Sequence, residues 1–101
     1  MSNEMEYNVT IILNLYSKDR EQFSSGFREI KLPFPPFIGL ALLSNSPMDF
    51  GKIERITWVE SESRFSCSID YESKGSDDDL EFLISEAKKQ GYQKIDEIYD
   101  A

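Results

Sequence analysis

The sequence predicts an α+β domain in which a mainly antiparallel sheet of about five strands precedes one C-terminal helix. Through the first three quarters of the chain, apolar and polar residues alternate with a period of two, which is typical of strands that bury one face. Only the last quarter changes to a helical period. At 101 residues the chain fits one small globular domain spanning 1–101.

The first strand is indicated by the alternation of Tyr7, Val9 and Ile11 with polar positions. The polar segment 17–26 ends in Ser-Ser-Gly and predicts a loop before the next strand. Three prolines between 33 and 36 exclude a central strand or a helix interior there, because proline lacks a backbone donor. The expected strands are 7–16, 27–32, 38–43, 52–60 and 64–71.

The last two strands are joined by the short polar link 61–63, so we expect a hairpin. Segment 64–71 alternates strictly, with Phe65, Cys67 and Ile69 on one face. Cys67 is therefore interpreted as a small buried hydrophobic residue, since no histidine is present to activate its thiol.

The helix is predicted over 77–90, where one apolar stripe indicates packing on one face of the sheet. Ser76 is the expected N-cap, and Gly91 with Tyr92 suits a Schellman ending. Beyond it, 93–99 suits either a short final strand, which we favour, or a second short helix. The stripe consists of Leu80, Leu83, Ile84 and Ala87.

Composition argues against several classes of function. The chain has no histidine, which is the commonest acid/base at neutral pH, and one cysteine, so it offers no disulfide framework. Its formal net charge of -8 repels phosphates and anionic lipids, so we expect no nucleic-acid or membrane partner. With no apolar run long enough for a membrane span and no recognisable secretory signal, a cytoplasmic location is the expectation.

No catalytic, metal-binding or cofactor-binding residue is assigned, and no cofactor is expected. The acidic run 77–79 has the wrong spacing for a calcium loop and is interpreted as compensating the helix dipole. The carboxylates on or beside the hairpin are interpreted as a solvated surface. That set comprises Glu54, Glu60, Glu62, Asp70 and Glu72.

The segment 33–37, Pro-Phe-Pro-Pro-Phe, is the most distinctive stretch of the chain. Two interpretations are open: Phe34 and Phe37 are inward anchors, which we favour, or the stiff segment is an exposed binding surface. Trp58 shares a strand face with Ile56, which favours core packing, but a half-exposed Trp is a common partner anchor. The candidate interaction surface is Phe34, Pro35, Pro36, Phe37, Trp58, Glu60 and Glu62.

The leading hypothesis is a small acidic, non-enzymatic intracellular domain that contacts another protein or a second copy of itself. One version is an inhibitor or immunity-type protein that neutralises a basic target by charge complementarity. The alternative is a small-molecule-binding or carboxylate-based enzymatic domain. It would use a pocket between sheet and helix, with Tyr16, Tyr71 or carboxylates as polar groups.

Overall fold

A computed structural model describes residues 6–43, 48–75 and 79–100. It confirms the α+β class, with a mostly antiparallel five-stranded sheet and one helix near the C-terminus. The elements in chain order are strand β1 (Tyr7–Tyr16), strand β2 (Gln22–Leu32), strand β3 (Arg55–Val59), a single 3-10 turn (Glu60–Glu62), strand β4 (Arg64–Glu72), helix α1 (Leu80–Lys89) and strand β5 (Tyr99–Asp100).

The sheet has the order β3-β4-β1-β2-β5, so the first strand of the chain lies at its centre. Strand β1 pairs antiparallel with β2 and parallel with β4. Val9, for example, lies opposite Ile30 of β2 and Phe65 of β4. The parallel pair makes the sheet mixed, and it requires a long connection between β1 and β4.

One face of the sheet carries the core, as the period-two alternation predicts. The side chains of Val9, Ile11, Leu13 and Leu15 in β1 are fully buried beneath helix α1 and the connecting segments. Around them pack Leu32, Phe50, Ile53, Cys67, Ile69, Leu80, Leu83, Ile84, Ala87, Tyr92 and Ile95. The prediction that Cys67 is a buried hydrophobic residue is confirmed.

Strand β2 begins at Gln22, so the prediction of a loop over 17–26 was wrong in its second half. The alternation was hidden because the core-facing positions of β2 include Ser24 and Gly26 instead of large apolar residues. Both are small because the segment around Ile95 lies directly on them: Ser24 Oγ donates to the Ile95 carbonyl at 3.0 Å. A side chain at Gly26 would have no room.

The expected strand over 38–43 is not formed. Residues 37–40 make a turn, in which Gly39 adopts a φ of 93°, and only an isolated bridge joins Ala41 to Lys52. A left-handed φ favours glycine and interrupts an extended strand. The fifth strand of the sheet is β5 instead, on the opposite edge.

The predicted hairpin is confirmed, with different bounds. Strand β3 is shorter than 52–60, because the chain turns into a 3-10 helix at Glu60, and β4 extends one residue beyond 71. Ser63, in the left-handed region at a φ of 51°, closes the connection. Trp58 lies directly opposite Phe65 in this antiparallel pair.

Helix α1 spans Leu80–Lys89, within the predicted 77–90. Its N-cap is Asp79, whose carboxylate accepts a hydrogen bond from the Phe82 N–H at 2.9 Å, while the expected cap Ser76 lies outside the described residues. The Schellman ending is confirmed, since Tyr92 N–H donates to the Ala87 carbonyl and Gly91 has a φ of 94°. Within the described residues, no helix has the length and apolar character to cross a membrane.

The segment after the helix touches the outer edge of β2 at two places. Gln93 and Phe27 exchange two backbone hydrogen bonds, of 3.1 and 2.7 Å. Lys94, with a φ of 58°, then directs Ile95 into the core, and Tyr99–Asp100 returns to the edge as β5. The expected final strand 93–99 is thus a bridge, an inward loop and a two-residue strand.

Candidate interaction site

Aromatic side chains collect at the end of the sheet where β1 begins. The Phe65 ring lies 6.2 Å from Tyr7 and 4.9 Å from Trp58, the latter in an edge-on arrangement. Phe65 therefore links the central strand to the edge strand β3. Trp58 stands on this base with 52% of its surface exposed, which agrees with the half-exposed alternative and not with the favoured core packing.

The proline-aromatic segment begins at the same end of the sheet, because Leu32 lies opposite Tyr7. Its buried member is Pro36, whereas Phe34 and Phe37 are 41% and 53% exposed, with ring centroids 6.2 Å apart. The favoured interpretation of both phenyl rings as inward anchors was therefore wrong. The rigid pyrrolidine ring supplies the anchor, and the two phenyl groups remain largely outside.

The turn that follows approaches the start of β3. Gly39 N–H donates to the Ile53 carbonyl at 2.8 Å, and Ile53 N–H donates to the Leu40 carbonyl at 2.9 Å. Ile38, at the tip of this turn, is 60% exposed. We refer to Phe34, Phe37, Ile38 and Trp58 together as the aromatic edge. The sequence missed Ile38 because it was assigned to a strand.

Acidic side chains lie next to Trp58 in the connection between β3 and β4. Glu60 and Glu62 are both exposed on the 3-10 turn. Arg64 partly offsets them, with its Nε 3.9 Å from Glu62 and its Nη1 3.2 Å from Glu29. Arg64 Nη1 also donates to Thr10 Oγ1 at 2.7 Å, which holds the guanidinium over the polar face of the sheet. Among the seven predicted surface residues, the structure exposes all except Pro36.

The face of the sheet opposite the core is polar and internally hydrogen-bonded. Asn14 donates to Asp70 at 2.8 Å and accepts from Ser25 at 2.8 Å, bridging three strands. At one end of this face the Arg20 guanidinium lies 4.7 Å from the Tyr16 ring centroid and 2.6 Å from Glu72. These polar groups are hydrogen-bond and ion-pair partners of one another, which allows this face of the sheet to remain in contact with water.

Several titratable groups of the described residues make structural contacts. Glu54 accepts a hydrogen bond from the Asp70 N–H at 3.1 Å, beside the start of β3. Hydrogen bonds from Ser17 Oγ and the Glu21 N–H lower the pKa of Asp19, and burial raises the pKa of the Cys67 thiol. Neither shift suits a proton donor or a thiolate nucleophile. Within the described ranges, no cluster of three or more acidic, cysteine or histidine side chains is arranged to hold a metal ion.

Two grooves of the described surface lie outside the interface between sheet and helix. One of about 510 Å³ follows β4 beyond the start of β3, where Tyr71 packs edge-on against Phe50 at 5.5 Å. Another of about 470 Å³ is lined mainly by polar and acidic groups around Ser17 and Asp100. Leu83 and Ala87 fill the space between α1 and the sheet, where the ligand hypothesis expected a pocket. Tyr16, the other tyrosine that the ligand hypothesis named as a polar group of the pocket, lies under the Arg20 guanidinium.

Comparison of the chain with protein-family models, with curated proteins and with solved structures gives no match.

Proposed function

We propose that this chain is a non-enzymatic protein-protein interaction domain that binds its partner through the aromatic edge. The observation that carries the proposal is the exposure of Phe34, Phe37, Ile38 and Trp58, at 41 to 60% each, on the edge strand β3 and on the segment that leads from the end of β2 to a turn beside the start of β3. Large apolar side chains grouped on a surface lose water when a partner covers them. Aromatic residues of this kind commonly supply most of the binding energy of an interface.

The supports of these side chains favour binding. Trp58 rests edge-on against Phe65, which restricts the indole before any partner arrives. Pro33, Pro35 and Pro36 fix the backbone that carries Phe34. Side chains that are already restrained lose less conformational entropy on association, so more of their burial appears as affinity.

Charge indicates the chemistry of the partner. The domain carries a formal net charge of -8, and Glu60 and Glu62 lie beside Trp58. A protein with a basic surface around an apolar depression would complement this arrangement, and its association would slow as salt screens the attraction. An inhibitor or immunity-type role is one form of this proposal. A second copy of the domain is a less favoured partner, since two acidic domains repel each other.

The test is a quantitative affinity capture from extract of the source cells, comparing the wild-type domain with the double variant Phe37→Ala/Trp58→Ala. A matched control is Phe82→Ala, because Phe82 is also an exposed aromatic residue, at 44%, but lies on helix α1. We expect a stoichiometric protein that both the wild type and the control retain at low salt. The double variant should lose it by at least about 30-fold, the effect of removing about 2 kcal/mol of hot-spot energy.

Circular dichroism of each variant verifies that the fold persists, since Trp58→Ala also removes a ring contact worth about 0.5–1.5 kcal/mol of stability. Equal capture by all three proteins would contradict the aromatic edge as the binding site. Small-molecule mass spectrometry of the eluates tests the alternative directly. A retained metabolite with no protein partner would replace the interaction proposal with a ligand-binding function.

A further inference from the structure

The outer side of β3 is an open sheet edge. Strand β3 is last in the order of the sheet, and its partner on the inner side is β4. Within residues 6–43, 48–75 and 79–100, no strand pairs with the other side of Arg55–Val59. An edge of this kind presents backbone N–H and C=O groups that can pair with another chain.

At the opposite edge of the sheet, the C-terminal segment pairs with strand β2. There Gln93 bridges to Phe27, and Tyr99–Asp100 pairs with Gln22 and Phe23. The C-terminal segment thus pairs with β2 at Gln22, Phe23 and Phe27. The contrast shows that the described chain covers one edge of its sheet and leaves the other open.

A short segment of the chain pairs on the outer side of the residues before β3 but does not continue along β3 itself. Leu40 and Ala41 pair with Ile53 and Lys52, which precede β3, in the position that a further strand would occupy. The turn at Gly39 then carries the chain away. A strand added along Arg55–Val59 would therefore lie at the end of this short pairing, next to the exposed Phe37 and Ile38.

The sequence of β3 lacks the features that normally protect an edge strand. Its residues are Arg-Ile-Thr-Trp-Val, with no proline, no glycine and a single charge at Arg55. Four of the five have β-branched or aromatic side chains, which favour strand pairing. Natural sheets usually protect such a strand with lysine, proline or a bulge.

We infer that the partner binds by adding an extended basic segment as a further strand on the outer edge of β3. The inference rests on the proposed function and specifies how the same site engages its partner. Main-chain hydrogen bonds would provide the pairing, as in other cases of β-strand addition. Glu54 lies beside Arg55 at one end of the strand. Glu60 and Glu62 lie at the other end, where Glu62 is 3.9 Å from Arg64. Lysine or arginine in the segment therefore meets carboxylates at both ends, within a domain of net charge -8.

Trp58 adds selectivity for a segment with cationic side chains. Its indole is 52% exposed on the edge strand, where a cationic side chain from the neighbouring strand position can lie over the ring. The alternation of an added strand directs every second residue to this face. The recognised segment therefore carries basic residues at alternate positions.

The experiment selects peptides from a displayed library of random linear dodecapeptides against the intact wild-type domain. We expect enrichment of lysine and arginine at alternate positions. The best peptide is then synthesised with a single N-methyl group at each backbone nitrogen in turn. In a pairing strand, methyl groups at alternate positions should weaken binding at least tenfold by removing hydrogen bonds, while those between them change it less than about twofold.

Hydrogen exchange of the domain provides a second readout, and binding should slow exchange of β3 amides selectively. The double variant Glu60→Gln/Glu62→Gln, which keeps the shape of both side chains, should bind the peptide about 3- to 10-fold more weakly at low salt. Failure to enrich any peptide, enrichment of non-basic peptides or the absence of methylation alternation would overturn the inference.

Sedimentation of the isolated domain tests the remaining candidate occupant of the β3 edge, which is a second copy of the domain. A dimer that protects the β3 amides would mean that this second copy fills the edge. The inference and the proposed function can fail separately. Capture that depends on Trp58 with no methylation alternation retains the interaction function and rejects strand addition. Capture that ignores the aromatic edge rejects the function itself.

Discussion

Replacement of Gly26 by alanine should be among the most damaging small changes in this chain. A methyl carbon at Gly26 would lie 2.6 Å from the Gln93 carbonyl oxygen and 2.6 Å from Ile95 Cβ. Carbon atoms in contact are normally about 3.5–4.0 Å apart, so the segment carrying Gln93 and Ile95 must move away by about 1 Å. Both obstacles are close to the backbone, and neither can be relieved by a side-chain rotation.

The magnitude follows from the contacts that such a movement disturbs. Overpacking a buried site costs about 1–3 kcal/mol, and the two hydrogen bonds between Phe27 and Gln93 are worth about 1 kcal/mol each if they break. Alanine also lowers the conformational entropy of the unfolded chain, which offsets about 0.4–1 kcal/mol of the destabilisation. We expect a net loss of about 2–4 kcal/mol from the free energy of unfolding, a large share of the 5–15 kcal/mol typical of a domain.

The assay is chemical denaturation, followed both by circular dichroism and by the fluorescence of Trp58, the single tryptophan of the chain. The control is Gly75→Ala, because no atom of the described residues, apart from its chain neighbours, lies within 4 Å of a methyl group at Gly75. The control should change the free energy of unfolding by less than about 0.5 kcal/mol. If Gly26→Ala is no more destabilised than the control, the close approach of the C-terminal segment to β2 is not as described.

Three further substitutions test separate parts of the fold. Ser24→Ala should lower the free energy of unfolding by about 1–3 kcal/mol in urea titrations, because the buried Ile95 carbonyl loses its side-chain donor. Asp79→Ala should cost about 1 kcal/mol by the same method, because the Phe82 N–H loses its cap. Cys67→Ala should abolish one component of the alkaline loss of stability. Burial raises the pKa of the Cys67 thiol in the folded protein. The stabilising effect of this thiol is therefore complete below the pKa that it has in the unfolded chain, and it is lost as pH rises through the pKa that it has in the folded protein.

Each of the three has a specific control. For the helix cap, Asp79→Asn keeps a capping oxygen and should retain most of the stability that alanine removes. For Ser24, a change of less than about 0.5 kcal/mol would mean that its hydrogen bond to Ile95 is not needed for burial. For Cys67, parallel declines of the wild type and Cys67→Ala between about pH 8 and 10 would contradict the burial of the thiol.

The sequence predicted the elements whose own side chains form the core. Strand β1 and helix α1 bury regular apolar stripes, and the signals at Gly91 and Tyr92 reproduce the observed helix end. Strand β2 was shortened because its inward positions at Ser24 and Gly26 are small for a reason that lies about 70 residues away, in the segment that covers them. Local patterns carry no record of such a distant contact.

The candidate site was predicted in its residue types but not in their environment. Periodicity placed Trp58 on the core side of its strand, which is correct, but could not show that β3 would be an edge strand with little to cover the indole. In the proline-aromatic segment, the sequence favoured Phe34 and Phe37 as the inward anchors, but the structure buries Pro36 instead. Burial of the proline was decided by tertiary packing, which residue spacing does not report.

The central position of β1 has a consequence for the order of folding. Its antiparallel partner β2 follows after a short turn, but the residues that pair β1 with its parallel partner β4, such as Val9 and Phe65, are 56 positions apart in the chain. The β1–β2 hairpin can form locally, yet a lone hairpin is marginal in water. The rate of refolding is therefore expected to depend on the encounter between β1 and β4, which places the chain among the slower folders of its size. Until that encounter, both long edges of the central hairpin are exposed, and this is the interval in which the domain is most prone to aggregate.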